Sequence, residues 1–345
     1  MPMILSLSVI LTLVLILPFL VKRVEENLEV FLFTMGLLAV TASSQWKWPL
    51  VEEALVEPIK ITIAVLAAGI LFRLLRPAVR KAVGFLMSKI GVKAFAFMIV
   101  VFLGSVSSFI TAIIAALLLV EVIDCMKLDR GDEIKLVVVA CFAIGMGAVL
   151  TPLGEPLSTI VISKLKAEPY NASFWFLLEK FWPYVMPGIV GFGVLAAIIV
   201  KRGPGEASLS EDHEEGIPDI LLRTLKIYLF VMALIFLGRG FRPIIDSSIS
   251  KVPPAGLFWL NSLSAILDNA TMAAAEVGPS MSKSQLDHAL LSLIVAGGML
   301  IPGNIPNIIA AGKLRIKSKE WIAVGVPIGS CAMAFYFIIL LVFGA

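Results

Sequence analysis

Asp268 and Asn269 stand side by side in the apolar stretch SAILDNATMAAAEVGP, residues 264–279, with Thr271 just beyond them. A charged side chain at the middle of a bilayer costs about 2.5–3.5 kcal/mol on insertion scales, so an acid there points to a site rather than to packing. A second acid, Glu155, lies in TPLGEPLST, residues 151–159, between Pro152 and Pro156 and next to Gly154. Proline cannot donate a backbone hydrogen bond and glycine frees the chain, so this spacing breaks a helix. The break leaves carbonyls and half-helix ends as partial charges. PGNIPN, residues 302–307, repeats the device with Pro302, Gly303 and Pro306 and adds Asn304 and Asn307. Ser107, Ser108, Thr151, Ser158 and Thr159 complete the polar set around these breaks. Oxygen ligands of this kind suit a hard monovalent cation, with Asp268 and Asn269 as the Na+ candidates. Burial raises a carboxyl's proton affinity and a bound cation lowers it, so one aspartate can trade H+ for Na+.

The elements that position these residues are read from hydropathy. The chain has 345 residues, 59% of them hydrophobic and only 15% charged. With a mean hydropathy of +0.99, this composition implies an all-α polytopic membrane protein whose main partner is the lipid bilayer. A net charge of +3, without basic residues interleaved with aromatics, argues against nucleic acid. Three scattered cysteines and two histidines, His213 and His288, both read as lying in polar connections, offer no zinc or disulfide framework. Nothing calls for an organic cofactor or an enzyme's active site. The first apolar run lacks a basic leader and a cleavage site, and VKR follows it, so it reads as a first span rather than a signal peptide.

Spanning segments are expected near 3–20, 28–44, 58–75, 133–163, 174–200, 217–238, 286–311 and 321–344. Two stretches, 93–124 and 253–277, read instead as re-entrant hairpins, which are tolerated where protein or a water-filled cavity covers them. Residues 1–57 then hold two N-terminal helices, 58–200 a first repeat, 201–216 a cytoplasmic linker and 217–345 a second repeat. Each repeat carries one hairpin and one broken helix, at 133–163 and at 286–311. TAIIAA at 111–116 aligns with SAILDN at 264–269, and GAVLTPLGEPLS at 147–158 with GGMLIPGNIPNI at 297–308. These alignments set Asp268 against Ala115 and Glu155 against Ile305. With hairpins entering from opposite sides, nineteen Lys and Arg fall inside and nine outside, the bias of the positive-inside rule. The repeats are then inverted, as in secondary transporters, and both chain ends lie outside the cell. Six tryptophans near segment ends read as interfacial anchors, and Glu121 and Glu276 as acids that water reaches at hairpin ends. Apart from Lys135 in the first turn of 133–163, no Lys or Arg falls within a hairpin core or broken helix, which favours a cation as the small ion carried.

SAILDNATMAA, GMGAVLTPLGEPLST and GGMLIPGNIPN together resemble the ion transporter superfamily. That group contains the NhaD-type sodium/proton antiporters, the ArsB-type arsenite carriers and the divalent anion/sodium symporters, and a cation-transporter branch of it is the closest description. The resemblance implies two inverted repeats, a plasma-membrane location and the dimers found in related families. It implies proton or cation binding at Asp268 and Asn269, first-loop ligands at Thr151, Glu155, Ser158 and Thr159, and second-loop ligands at Asn304 and Asn307. The first hairpin, SSFITAIIAALL, departs from the pattern in having no Asp-Asn pair or Ser-Asn-Thr tip. The expected function is sodium/proton antiport by alternating access. A Na+-coupled symporter of a small anion or oxyanion is the alternative. An intramembrane aspartyl protease is more remote, since two facing aspartates and a Gly-x-Gly-Asp pattern are missing.

Overall fold

A computed structural model describes residues 2–21, 23–24, 27–201, 217–249 and 252–343. The linker expected at 201–216, with His213, falls outside the described residues except for Lys201. The helices in chain order are α1 Pro2–Leu20, α2 Leu28–Ala42, α3 Trp48–Ile110, α4 Ala112–Met126, α5 Arg130–Ala148, α6 Pro156–Lys164 and α7 Phe176–Ile199. After the linker come α8 Ile217–Ile249, α9 Pro254–Leu260, α10 Ser264–Leu267, α11 Asn269–Glu276, α12 Lys283–Ala296, α13 Ile305–Lys313 and α14 Ser318–Phe343. Short 3-10 turns occupy Asn261–Leu263 and Ile301–Gly303, and no strand occurs among the described residues. Among the described residues, four stretches are long and apolar enough to cross a membrane: Pro77–Ile110, Phe176–Ile199, Thr224–Pro243 and Ser318–Phe343. The chain is therefore all-helical and compatible with a membrane protein. Met3–Pro18 and Leu28–Ala42 are apolar but shorter.

The expected breaks fall where the punctuation put them, with one exception. Both broken helices are present, as α5 and α6 joined across Val149–Glu155 and as α12 and α13 joined across Gly297–Asn304. The span expected at 58–75 does not end there. It runs on in α3 from Trp48, and the only non-helical residue inside α3 is Gly91, at φ 79°. The polar stretch between is rich in Arg, Lys, Leu and Ala, which are good helix formers, so charge does not interrupt the helix.

Packing places the broken elements at the centre. From Leu136 to Ala148 every residue of α5 is buried, beneath α3, α4 and α7. The halves also exchange elements: α6 of the first packs on α11 of the second, and α13 of the second packs on α4 of the first. The outer faces of α7 and α14 expose Val194, Ile198, Phe335, Ile338 and Leu341, an apolar exterior that lipid would cover. Among the described residues five ion pairs join distant segments: Arg130–Glu320, Lys226–Glu29, Arg239–Glu53, Lys180–Asp287 and Lys313–Glu121. Each links residues that the charge count puts on one side.

Two expectations are corrected in this core. Trp321 is not an interfacial anchor. It is fully buried, and its indole donates to the Gly298 carbonyl at 3.2 Å, holding the second unwound loop. His288 is not in a polar connection but inside α12, buried edge-on to Phe258 and Phe337. Both sit on long helices whose polar first turn reads as a loop.

Candidate functional site

Two hairpin tips come first. Thr111 sits between α3 and α4 at φ 72°, ψ 148°, and Asp268 between α10 and α11 at φ 70°, ψ 135°. A positive φ is costly for residues with a Cβ, most of all for a β-branched one, and persists only where surroundings enforce it. Each residue caps the helix that follows, which answers that helix's unpaired amides. Thr111 Oγ1 accepts from the Ile114 amide at 3.3 Å. Asp268 Oδ2 accepts from the Thr271 amide at 3.2 Å and its hydroxyl at 3.3 Å. The structural counterpart of Asp268 is thus Thr111 and not Ala115. The letter-by-letter match slipped about one turn because Ala and Ile recur along both arms.

The unwound loops match in the same way. Glu155, at φ −156° and ψ 163°, precedes nine-residue α6; Asn304, at φ −156° and ψ 149°, precedes nine-residue α13. Ser158 Oγ donates to the carbonyl of Thr151 at 2.8 Å, as Asn307 Nδ2 does to that of Leu300 at 2.8 Å. A methyl at Gly154 would lie 1.9 Å from the Ala148 carbonyl oxygen, and one at Gly303 would lie 2.5 Å from that of Gly297. Only glycine fits either turn. The counterpart of Glu155 is therefore Asn304, one residue away from Ile305.

These four breaks meet. The Ala112 amide, behind the first tip, donates to the Gly154 carbonyl at 2.9 Å. Ala265, before the second tip, lies against Gly303. Across the halves, the Glu155 carboxyl faces the Asn269 amide and the Asp268 carboxyl, and Asn304 is pressed on Gly145 of α5. Glu155 is 5% exposed and Asn269 2%, yet Glu155 Oε1 and Asn269 Nδ2 have no hydrogen-bond partner. Two acids and an amide from opposite halves thus enclose unpaired polar atoms at a junction of helix ends. Such a group can hold a proton or a small cation that neither half holds alone.

The remaining sequence candidates divide. Thr271 belongs to the site through Asp268. Ser107 donates to the Ile144 carbonyl at 3.0 Å, Ser108 to that of Gly147 at 2.6 Å, and Thr151 to that of Ser108 at 2.5 Å. These three hydroxyls lash the first hairpin to its own broken helix. Ser158 and Asn307 brace the loops, although Asn307 Oδ1 stays buried and unpaired. Thr159 is exposed and bonds back to the Pro152 carbonyl at 2.7 Å, outside the group.

Sequence reasoning misjudged three other polar positions. Glu121 is buried in an ion pair with Lys313 from the other half. Lys164, at the matching place in the first half, donates to the Ala274 carbonyl and to that of Val277 at 3.1 Å. Each lysine closes its half-helix one residue or more beyond the limit read for the broken helix, and each reaches the opposite hairpin. Glu276 is 6% exposed and not open to water, with neither oxygen bonded. The signal available was the nine-residue spacing from Pro156 to Lys164, echoed from Ile305 to Lys313. An open pocket of about 360 Å³, lined by Lys47, Arg239 and Arg242 among others, touches none of these groups.

No curated protein matches the chain. Residues 4–343 match the family described as protein of unknown function (DUF1646), and on that coverage the chain belongs to DUF1646.

Proposed function

We propose that this protein is a secondary active transporter that exchanges Na+ for H+ by alternating access, with Asp268 as the exchanging carboxyl and Glu155 as its second acid. The observation that carries the reading is the meeting of Glu155 from one half with Asp268 and Asn269 from the other. A site assembled from two halves is made and unmade when they rock, which is what alternating access requires. Duplicated tips and loops, with lysines crossing between halves, support inverted repeats with re-entrant hairpins, the layout of the ion transporter superfamily. The same-side ion pairs support a multi-pass arrangement in the plasma membrane with both ends outside, and a homodimer is in keeping with the resemblance. The test uses purified protein in liposomes holding a proton gradient and a pH-sensitive dye. Added Na+ or Li+ dissipates the gradient, K+ does so less, and Asp268→Asn abolishes the effect while remaining folded. Retained exchange in that variant overturns the assignment.

One observation favours a second reading, Na+-coupled carriage of a small anion. The N-termini of α4, α6, α11 and α13 all lie at the junction of the four breaks, and helix N-termini attract anions. Glu155 and Asp268 already supply negative charge at two of them, so the exchange reading stands first. Na+-dependent binding of an oxyanion, without dissipation of the proton gradient, would reverse that order.

A further inference from the structure

The first half carries a basic stretch that the junction of breaks does not use. From residue 58 to residue 120 the chain has seven Lys and Arg and no Asp or Glu. All but Lys60 lie within residues 73–93, in the middle of α3. The stretch Pro77–Ile110 is 34 residues long, about 51 Å as a helix against about 30 Å of hydrocarbon. Gly91, at φ 79° and ψ 160°, divides it. Residues 94–110, beyond that turn, carry no charge and suit the hydrocarbon, whereas Arg80, Lys81 and Lys89 come before it. Residues 77–90 are therefore left for the membrane surface.

Burial divides this helix into three faces. At about 100° per residue, Val79, Val83 and Met87 line up, and all three pack on the core. A second line, Ala78, Ala82, Phe85 and Leu86, is exposed and apolar, with Phe85 at 60%. A third, Arg80, Lys81, Gly84 and Ser88, is exposed and polar. Lys89 follows Phe85 by one turn, its ammonium 5.8 Å from the centre of the ring, so an apolar stem leads to a charged head. Lys93 is exposed just past the turn at Gly91. Arg80 has a further interaction within the chain, whereas Lys81, Lys89 and Lys93 meet no carboxylate among the described residues. Apolar residues on one exposed flank and cations on the other seat a helix at the boundary of headgroups and acyl chains.

We propose that residues 77–93 form a membrane-surface helix whose Lys81, Lys89 and Lys93 bind the headgroups of anionic phospholipid. Charge selects the lipid. A zwitterionic headgroup brings a positive group as well as a phosphate, and residues 58–120 hold no acid to meet it. The apolar flank selects a lipid over a soluble anion, because Phe85 and Leu86 have a place only beside acyl chains. The surface does not require the exchange reading. It lies one turn from the hairpin arm whose Ser107 and Ser108 bond to the broken helix, so a bound headgroup holds the end of that arm away from the tip.

The experiment titrates the purified full-length protein, in nonionic detergent, with phosphatidylglycerol and separately with phosphatidylcholine of the same acyl chains. Native mass spectrometry counts the lipids bound. Phosphatidylglycerol binds about fivefold more tightly than phosphatidylcholine for each lysine that a headgroup meets. Lys81→Gln, Lys89→Gln and Lys93→Gln together remove that preference and leave phosphatidylcholine binding as it was. All three side chains are exposed, so the variant folds. The same change at Lys47, Lys166 and Lys283, exposed elsewhere on the chain, leaves the preference intact. Equal affinity for the two lipids, wild-type preference in the first variant, or an equal loss in the second overturns the surface. So does a first variant that changes the number of chains per particle while keeping its phosphatidylglycerol, since a second copy of the chain would then be the occupant.

Discussion

At the first hairpin tip a threonine takes φ 72° and caps the next helix; at the second an aspartate takes φ 70° and does the same. One loop enters its half-helix through Glu155 and the other through Asn304, with φ −156° in both. A serine braces the first loop and an asparagine the second. Lys164 ends one half-helix on backbone carbonyls, and Lys313 ends the other on a carboxylate. The two halves therefore share backbone devices and differ in where they carry charge. Each acid at the junction stands at a position that the other half fills with a neutral residue, Thr111 for Asp268 and Asn304 for Glu155. The scaffold fixes where helices break, and the unshared side chains decide what the breaks hold.

The lysines test that comparison most severely. Lys313 and Glu121 are 11% and 8% exposed, and breaking a buried pair by removing one partner costs about 3–5 kcal/mol because the other charge is stranded. Lys313→Met should lower stability by that much in detergent, and adding Glu121→Gln should restore part of it. Lys164→Met loses hydrogen bonds to the Ala274 and Val277 carbonyls, worth about 1–3 kcal/mol. Equal losses at the two sites would mean that the charge difference is not felt.

Next in size are the glycines. Gly154→Ala drives a methyl to 1.9 Å from a carbonyl oxygen and Gly303→Ala to 2.5 Å. Overpacking of this kind costs about 1–3 kcal/mol, with Gly154→Ala the worse. Thermal unfolding in one detergent ranks them, and the reverse order would show that the first loop yields more readily than the second.

Smaller again is the loss of a brace. Asn307→Ala strands two carbonyls, those of Gly297 and Leu300, each held at 2.8 Å. Ser158→Ala frees the carbonyls of Thr151 and Glu155 at 2.8 and 2.7 Å. One shared hydroxyl proton serves the second pair and two amide hydrogens the first. About 2 kcal/mol is therefore expected at Asn307 and about 1 at Ser158.

What could be read from the letters follows from this division of labour. Pro152, Gly154 and Pro156 act within a few residues of themselves, so the sequence shows the break outright, and Asp268 stands out against its apolar neighbours. Pairings across the halves leave no local trace. Glu121 meets Lys313 at a separation of 192 residues, and nothing near either predicts it. Glu276 was misplaced for a related reason. It lies one residue from the expected hairpin end at 277 and just before Gly278 and Pro279, so it reads as reachable by water, whereas the fold buries that end of α11. Trp321 reads as an anchor because its neighbours, Lys319 and Glu320, are polar, while its own face of α14 is turned into the core.

The smallest change to stability separates the two roles of Asp268. Its carboxylate caps α11, as the Thr111 hydroxyl caps α4. Asp268→Thr therefore replaces one capping residue with the residue that the other half uses in the same backbone conformation. Exchange among good caps alters stability by less than about 1 kcal/mol, and a β-branched residue at φ 70° adds strain of about 1 kcal/mol, so the protein should stay folded with a slightly lower melting temperature. Thr111→Ala, which removes a cap outright, should cost about 1 kcal/mol and leave Na+-driven dissipation of the proton gradient intact. Asp268→Thr should abolish that dissipation, because a hydroxyl neither gives up a proton nor balances Na+. If it instead unfolds the protein while Thr111→Ala is tolerated, the aspartate is there for structure, and the symmetry of the two tips ends at their backbone.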